Sequence, residues 1–177
     1  GMQATGKHFP GHGGIFEDSH ISEPVDTRSY EQLFELDLKP FEELKDKLGA
    51  IMTAHITFPN IDSVCVSYSS LWIKEILRER LAFEGIVFSD DLSMKGAGGY
   101  SMGEKAIKSI EAGCDMVLVC NDYDGTMDVV DAFEKNNIQN SSEIVALQNS
   151  ADIDWIELVK KDRVKDIKNL IKEMGRV

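Results

Sequence analysis

The sequence predicts an α/β fold in which parallel strands alternate with helices. Three short segments, at 50–56, 85–91 and 115–122, are almost continuously apolar, which is typical of strands buried on both faces. A longer segment with helical periodicity precedes or follows each of them. Regular alternation of strand and helix favours a parallel sheet connected by right-handed crossovers.

The first half of the chain contains two predicted strands and two predicted helices. Residues 4–10 form the end of a first strand, and the apolar spacing in 29–48 predicts a helix that Pro40 breaks or kinks. The strand at 50–56 stops before Pro59. Serines at 67–70 are candidate N-caps for the next helix, at 71–83.

The second half continues the pattern. The strand at 85–91 ends in two acids, and the helix at 102–113 ends at Gly113, a residue suited to a helix C-cap. Further helices are predicted at 125–136, at 141–149 and, as one or two amphipathic helices, at 152–177. Residues 1–177 are treated as one domain. Four strands suit either a small doubly wound sheet or half of an eight-stranded barrel.

Composition excludes several classes of partner. Nineteen basic and 31 acidic residues give a net charge of −12, which argues against binding to nucleic acid or to an anionic membrane. The sequence contains no stretch long and apolar enough for a membrane span and no apolar leader near residue 1. Three cysteines in apolar surroundings indicate buried thiols in a reducing compartment, so we expect a cytoplasmic protein.

Polar residues follow three of the predicted strands. Since the carboxyl ends of parallel strands carry the chemistry of such folds, these residues should lie close together beside the loop at 7–20. They are His55, Asp90, Asp91, Asn121 and Asp122. Asp90 is a candidate nucleophile or a candidate acceptor of hydrogen bonds from the substrate. Asp91 is a candidate helix cap.

The segment KHFPGHGGIFEDSH, residues 7–20, allows three interpretations. A loop could bring His8, His12, His20 and Asp18 around a metal, although Pro10 excludes the helical geometry that a spacing of four would need. The glycines offer backbone amides to a phosphate, but the P-loop spacing is absent. Asp18 and His20 could form an acid/base pair, because the carboxylate would raise the pKa of the imidazole and fix its tautomer. A solvated polar loop is the simplest alternative.

Four motifs together resemble the family 3 glycoside hydrolases, and within them the bacterial β-N-acetylhexosaminidases of peptidoglycan recycling. These motifs are KHFPGHG at 7–13, DSH at 18–20, AHI at 54–56 and FSDDLSMKGA at 88–97. They occur in the family's order, and the resemblance extends from residue 1 to at least residue 122. It implies a TIM (β/α)8 barrel of which this chain would supply the fifth to eighth strands.

The resemblance also implies roles for individual residues. Asp90 matches the nucleophile, and His20 matches the general acid/base, with Asp18 as its carboxylate partner. Lys7 and His8 match a pair that hydrogen-bonds sugar hydroxyls, and we place His55 of the AHI motif among the substrate-binding residues. The substrate would be a GlcNAc-1,6-anhydro-N-acetylmuramyl peptide or related β-linked GlcNAc, cleaved with retention. No metal or organic cofactor would be needed.

The length of the chain departs from the family pattern. A whole barrel needs about 250 residues, so the chain would be a C-terminal half that lacks part of the sugar-binding shell. We therefore expect it to pair with a second copy or with a separate N-terminal half, because half a barrel exposes two sheet edges. The chain alone need not be active. The alternatives are a non-catalytic remnant or saccharide-binding module of the same fold, and a metal-dependent hydrolase.

Overall fold

The computed structural model describes residues 3–15, 23–139, 142–148 and 154–175. Its centre is a sheet of four parallel strands in the order β1-β2-β3-β4. The strands are β1 (Thr5–Phe9), β2 (Ala50–Thr53), β3 (Ile86–Asp91) and β4 (Met116–Leu118). Each strand pairs with the next strand in sequence, and the order never reverses. This is the winding of a barrel segment rather than of a doubly wound sheet.

Helices connect the strands. The bounds are α1 (Tyr30–Leu33), a π-helical turn (Phe34–Leu38), α2 (Lys39–Leu44), 3₁₀ turns at Lys45–Lys47, Val66–Tyr68, Lys95–Ala97 and Ser142–Leu147, a π helix (Leu71–Arg80), α3 (Met102–Ala112), α4 (Tyr123–Lys135), α5 (Trp155–Lys160) and α6 (Asp162–Glu173). The predicted alternation of strands and helices is confirmed.

The sequence signals for helix ends act as expected. Ser101 starts α3 with a capping box, in which its hydroxyl accepts from the Glu104 N–H and the Glu104 side chain accepts from the Ser101 N–H. Gly113 ends the same helix in the left-handed conformation, at φ 118°. Ser69 caps the π helix, because its hydroxyl accepts from the Trp72 N–H at 3.1 Å. Pro40 does not stop the helical run; it lies where the π-helical turn passes into α2, and the run continues to Leu44.

The main core lies between the sheet and the helices that follow β1 and β2. Trp72 is at its centre and is fully buried, with its ring 6.1 Å from that of Phe9 and 5.2 Å from that of Phe58. A smaller core cluster contains Leu92 and Ala106 and joins the end of β3 to α3 and α4. These two cores fix the carboxyl ends of β1, β2 and β3, where the predicted site residues lie.

Several sequence predictions were wrong in detail. The strand at 115–122 is shorter than predicted and only half-buried, because β4 forms an edge of the described sheet. Cys114 is buried as predicted, but Cys120 is exposed, since it follows the end of that edge strand. Trp155, on α5, is 71% exposed.

The chain divides into two compact units, Met2–Gln148 and a C-terminal unit made mainly of residues 149–177. The first contains the whole sheet. The second contains α5 and α6. The apolar residues Ile167 and Leu170 of α6 are exposed. The assignment of both units to one domain stays a prediction. Among the residues that the structure describes, no helix is both long and apolar enough to cross a membrane.

Candidate active site

The two acids at the end of β3 have different environments. One oxygen of Asp91 accepts hydrogen bonds from the N–H groups of Ser93 and Cys120, each at 3.0 Å, and the other accepts from the Ser93 hydroxyl at 2.6 Å. Burial raises the pKa of Asp91, but these hydrogen bonds outweigh it and hold the pKa below its usual value. Asp91 therefore joins the end of β3 to the segment after β4, which is a structural role.

Asp90 has a carboxylate oxygen that points toward a second strand. Its Oδ1 accepts from the N–H of Asp91 at 2.8 Å, and its Oδ2 lies 3.6 Å from Nε2 of His8, at the end of β1. The Asp90 side chain is 15% exposed, so a ligand could still reach it. Of the two neighbouring acids, Asp90 is the one whose geometry suits chemistry.

The end of β1 supplies Lys7 and His8. The Lys7 side chain is exposed, whereas His8 is half-buried beside Asp90, and its ring lies 6.2 Å from that of His12 in an edge-to-face arrangement. The peptide bonds Lys7–His8 and Phe9–Pro10 are cis. The structure thus brings together His8 and Asp90, two residues that the sequence analysis placed in one site from segments more than 80 residues apart.

His55 lies buried behind the strand ends. It is 1% exposed, and both ring nitrogens contact protein groups. Nε2 lies 3.1 Å from the Asp91 carbonyl oxygen, and Nδ1 lies 3.0 Å from the Ser67 hydroxyl, which is itself 2.9 Å from the Thr53 hydroxyl. Direct substrate binding by His55 stays a prediction, but these contacts favour support of the strand end that carries Asp90.

The contacts and the burial of His55 together favour a neutral ring. A carbonyl oxygen can only accept, so Nε2 carries the hydrogen and donates it to Asp91, and a neutral Nδ1 accepts from Ser67. Burial lowers the pKa of His55, and this effect exceeds the opposing attraction of the nearby Asp90 carboxylate. The ring is therefore neutral at pH 7.

Other predicted residues have simpler outcomes. Asp122 caps α4, because its carboxylate accepts from the Gly125 N–H at 2.9 Å, and Asn121 precedes it in a left-handed conformation. Asp18 and His20, the proposed acid/base pair, lie outside the described residues. Within the described ranges, no group of three or more His, Cys, Asp or Glu side chains could hold a metal ion.

Sequence reasoning missed two sets of polar residues near the site. Lys105 on α3 is 7% exposed, and its ammonium donates to the Leu92 carbonyl at 2.9 Å, just after the acid pair; burial lowers its pKa. Arg28 lies between the carboxylates of Asp26 and Asp37. Only the short spacing of Asp26 and Arg28 was visible in the sequence, since Asp37 approaches through the fold.

A cavity of about 510 Å³ opens beside His55. Loops that follow β1, β2 and β3 line it, together with one face of α3. Its polar lining includes Glu23, Ser63, Tyr100 and Lys108. The cavity therefore lies among the strand-to-helix loops, which carry the chemistry in parallel α/β folds.

Comparison with known proteins gives a consistent result. The model of the glycosyl hydrolase family 3 N terminal domain matches residues 1–149. A curated beta-hexosaminidase from Glaesserella parasuis serovar 5 is 46% identical over 169 residues, which cover 92% of this chain and 49% of that protein.

Solved structures agree with the family match. NagZ from Neisseria gonorrhoeae in complex with N-trifluoroacetyl-D-glucosamine is similar with a TM-score of 0.81 and 34% identity, covering 100% of this chain and 52% of that one. The same protein in complex with zinc ion is similar with a TM-score of 0.75 and 33% identity, covering 96% and 48%. The chain thus spans about half the length of the relatives it matches, and the predicted fold class is confirmed. The chain belongs to glycosyl hydrolase family 3 and matches the N-terminal domain of that family.

Proposed function

We propose that this chain supplies the nucleophile and the acid/base pair of a retaining β-N-acetylglucosaminidase. One observation carries the proposal. Asp90 is the penultimate residue of β3, with one carboxylate oxygen held by the Asp91 N–H and the other directed toward His8, while Asp91 is occupied by structural hydrogen bonds. A partly exposed carboxylate held in one orientation is what attack on a sugar carbon requires.

The proposed reaction has two displacements at the anomeric carbon. Asp90 attacks that carbon and forms a glycosyl–enzyme ester, while the glycosidic oxygen leaves with a proton from His20. His20 then removes a proton from water, the water oxygen attacks the anomeric carbon, and the Asp90 carboxylate is released. Two inversions give net retention. Asp18 would keep His20 basic enough for both transfers. The roles of Asp18 and His20 depend on the sequence motif alone.

The substrate proposal follows from the same relatives. Lys7 and His8, at the end of β1, would hydrogen-bond the hydroxyl groups of a bound GlcNAc unit. The binding of N-trifluoroacetyl-D-glucosamine by the Neisseria relative supports a GlcNAc-type sugar. We propose GlcNAc-1,6-anhydro-N-acetylmuramyl peptides as the physiological class, which would place the protein in peptidoglycan recycling in the cytoplasm. This chemistry requires neither a metal nor an organic cofactor.

The active assembly would contain more than this one chain. In the described sheet, β1 and β4 each have an edge without a neighbouring strand, and Met52, Phe88 and Met116 on the strands are only half-buried. Open edges and partly covered apolar residues favour association. We propose pairing with a second copy or with a separate N-terminal half. Light scattering tests this, and a monodisperse monomer with full activity would contradict it.

Hydrolysis of 4-nitrophenyl β-N-acetylglucosaminide tests the proposed function. We expect the chain, in its active assembly, to release 4-nitrophenol, and we expect Asp90→Ala to reduce the rate by at least about 10³-fold, because the nucleophile is lost. Asp46→Ala is a matched control, since it removes an exposed acid from the turn that precedes β2. This turn lies at the amino ends of the strands, whereas Asp90 lies at their carboxyl ends. Full activity in Asp90→Ala would refute the assignment of the nucleophile.

A saccharide-binding module without turnover is the second candidate. The observation in its favour is that the Neisseria relative binds N-trifluoroacetyl-D-glucosamine, which supports sugar binding without bearing on turnover. Titration of the purified chain with GlcNAc, followed by NMR, separates the two. Binding with no hydrolysis, in the presence of every other part of the assembly, would favour the module.

A metal-dependent hydrolase is the third candidate, and one relative has been solved with zinc. His8 and His12 are neighbours here, with ring centroids 6.2 Å apart. Elemental analysis after dialysis tests this candidate. One zinc per chain, lost together with activity on chelation, would favour it over the Asp90 mechanism.

A further inference from the structure

An ionic cluster lies beside the turn that follows β1. The guanidinium of Arg28 donates to both carboxylate oxygens of Asp26, at 2.7–3.1 Å, and its other terminal nitrogen donates to Asp37. The side chains of Asp26, Asp37 and Arg28 are 4%, 13% and 22% exposed. Burial raises the pKa of Asp26, but the hydrogen bonds and charge of Arg28 lower it by more. The net pKa is below its usual value, so the pair stays ionised.

The turn after β1 packs directly on this cluster. A Cβ atom added at Gly14 would overlap the Arg28 guanidinium, and one added at Gly11 would overlap the Asp37 side chain. Gly11 also has φ of 144°, which side-chain-bearing residues rarely adopt. Ile15, the next residue along, packs against the main core. The cluster and the core thus hold the chain up to residue 15.

The same cluster holds the chain from residue 23 onward. The Asp26 N–H donates to the Thr57 carbonyl at 2.9 Å, and the Thr57 N–H donates to the Pro24 carbonyl at 3.0 Å. The Asn60 side chain also donates to the Thr27 carbonyl. Asp26 is therefore joined through its backbone to the segment after β2 and through its side chain to Arg28.

We propose that Arg28 is a positioning residue for the acid/base step. It fixes residues 11–14 on one side and residues 24–28 on the other, and the sequence between them contains Asp18 and His20. Small displacements of a reacting group cost large factors in rate, so a cation that fixes both flanks affects proton transfer without touching substrate. Arginine suits this position because its planar fork binds two carboxylates at once, which a lysine ammonium cannot do with the same geometry. The inference rests on the proposed function.

Hydrogen exchange of the 177-residue chain tests whether Arg28 holds both flanks. The variants are Arg28→Met and Arg28→Lys. Arg78→Met is the matched control. The Arg78 side chain is similarly exposed, at 25%, and it forms an ion pair of 2.8 Å with Asp115, the residue before β4 and away from the site. We expect the amides of Asp26 and Thr57 to exchange at least about tenfold faster in both Arg28 variants and unchanged in Arg78→Met. Unchanged exchange in Arg28→Met would overturn the proposal.

Leaving-group dependence tests the catalytic part in the active assembly. The assay compares kcat/KM for 4-nitrophenyl and 4-methoxyphenyl β-N-acetylglucosaminides, since only the poorer leaving group strongly needs a proton. We expect Arg28→Met to slow the 4-methoxyphenyl substrate at least about tenfold more than the 4-nitrophenyl one, and we expect equal effects on both in Arg78→Met. Equal losses in Arg28→Met would reduce Arg28 to a general stabilising role and overturn the inference.

The two proposals fail in different ways. Undiminished hydrolysis in Asp90→Ala, or none in any assembly, would refute the proposed function, and the exchange result would still decide whether Arg28 holds both flanks. Loss of hydrolysis in Asp90→Ala, together with equal losses on both substrates in Arg28→Met, would leave the function standing and refute the positioning role.

Discussion

Replacing His55 by leucine tests the buried hydrogen-bond chain behind the candidate active site. Leucine has nearly the volume of histidine, so the change removes the two ring hydrogen bonds without a large cavity. The former partners keep other contacts, because the Asp91 carbonyl still accepts from the Met94 N–H at 3.1 Å and the Ser67 hydroxyl can turn to the Ala54 carbonyl, also at 3.1 Å. Neither is left unsatisfied.

The expected loss of stability follows from those two bonds. A buried hydrogen bond contributes about 0.5–1.5 kcal/mol net, so the free energy of unfolding at pH 7.5 should fall by about 1–3 kcal/mol in His55→Leu. A larger loss would mean that the histidine supports more of the strand ends than its two hydrogen bonds indicate.

The pH dependence gives a sharper test. The pKa of His55 is lowered in the folded protein, whereas an unfolded histidine has a pKa of about 6.5. The unfolded chain therefore binds more protons as the pH falls below about 6.5, and the folded state loses stability as it does so. If the folded ring stays neutral, the wild-type protein should lose up to about 1.4 kcal/mol between pH 7.5 and 5.5 through this group alone. His55→Leu should lack that component.

Urea unfolding at pH 7.5 and pH 5.5, followed by tryptophan fluorescence, measures both effects. Thr53→Val is the matched control, because it removes the hydroxyl at the far end of the same chain. It should cost about 1 kcal/mol at either pH. If His55→Leu and Thr53→Val lose the same stability from pH 7.5 to 5.5, the assignment of a neutral, buried His55 is refuted.

Two further substitutions test neighbouring parts of the structure. Asp91→Ala removes a carboxylate that accepts three hydrogen bonds and should cost about 2–3 kcal/mol of unfolding free energy at pH 7. The pKa of Asp91 is lowered in the folded protein. Its contribution to stability is therefore fully present above the unfolded pKa of about 3.9 and is lost as the pH falls through the folded pKa. The stabilities of the variant and the wild type should converge in acid. Gly103→Ala should cost about 1–3 kcal/mol by calorimetry, because the added methyl would lie 2.8 Å from the Ala132 Cβ and 3.0 Å from the Asp128 carbonyl; unchanged melting would show that α3 and α4 are not in such close contact.

The sequence predicted the parts of this protein that depend on local pattern. Apolar strands, capped helices and acids at a strand end are all visible within short windows, and the meeting of His8 with Asp90 follows from parallel strands ending at one edge. The hydrogen bonds of Asp91 agree with the structural role predicted for that acid, whereas the catalytic role of Asp90 stays a prediction.

Other features depend on contacts between distant segments, and the sequence could not supply them. The burial of His55 requires Ser67 to approach its ring, and the exposure of Cys120 follows from the position of β4 at a sheet edge. Arg28 gains Asp37 only because the helical run returns alongside the turn after β1. The assignment of Asp18 and His20 still rests on their motif.

The strictly sequential strand order has a consequence for how the sheet forms. In the described sheet, β2, β3 and β4 each pair with the strand that precedes it in sequence, and a helical connection separates the two. Each new strand–helix unit thus finds its docking edge already present as the polypeptide leaves the ribosome. Pairings between consecutive strands also cost less loop-closure entropy than pairings across the whole chain would. The strand that carries Asp90 can therefore dock as soon as the two strands before it are in place.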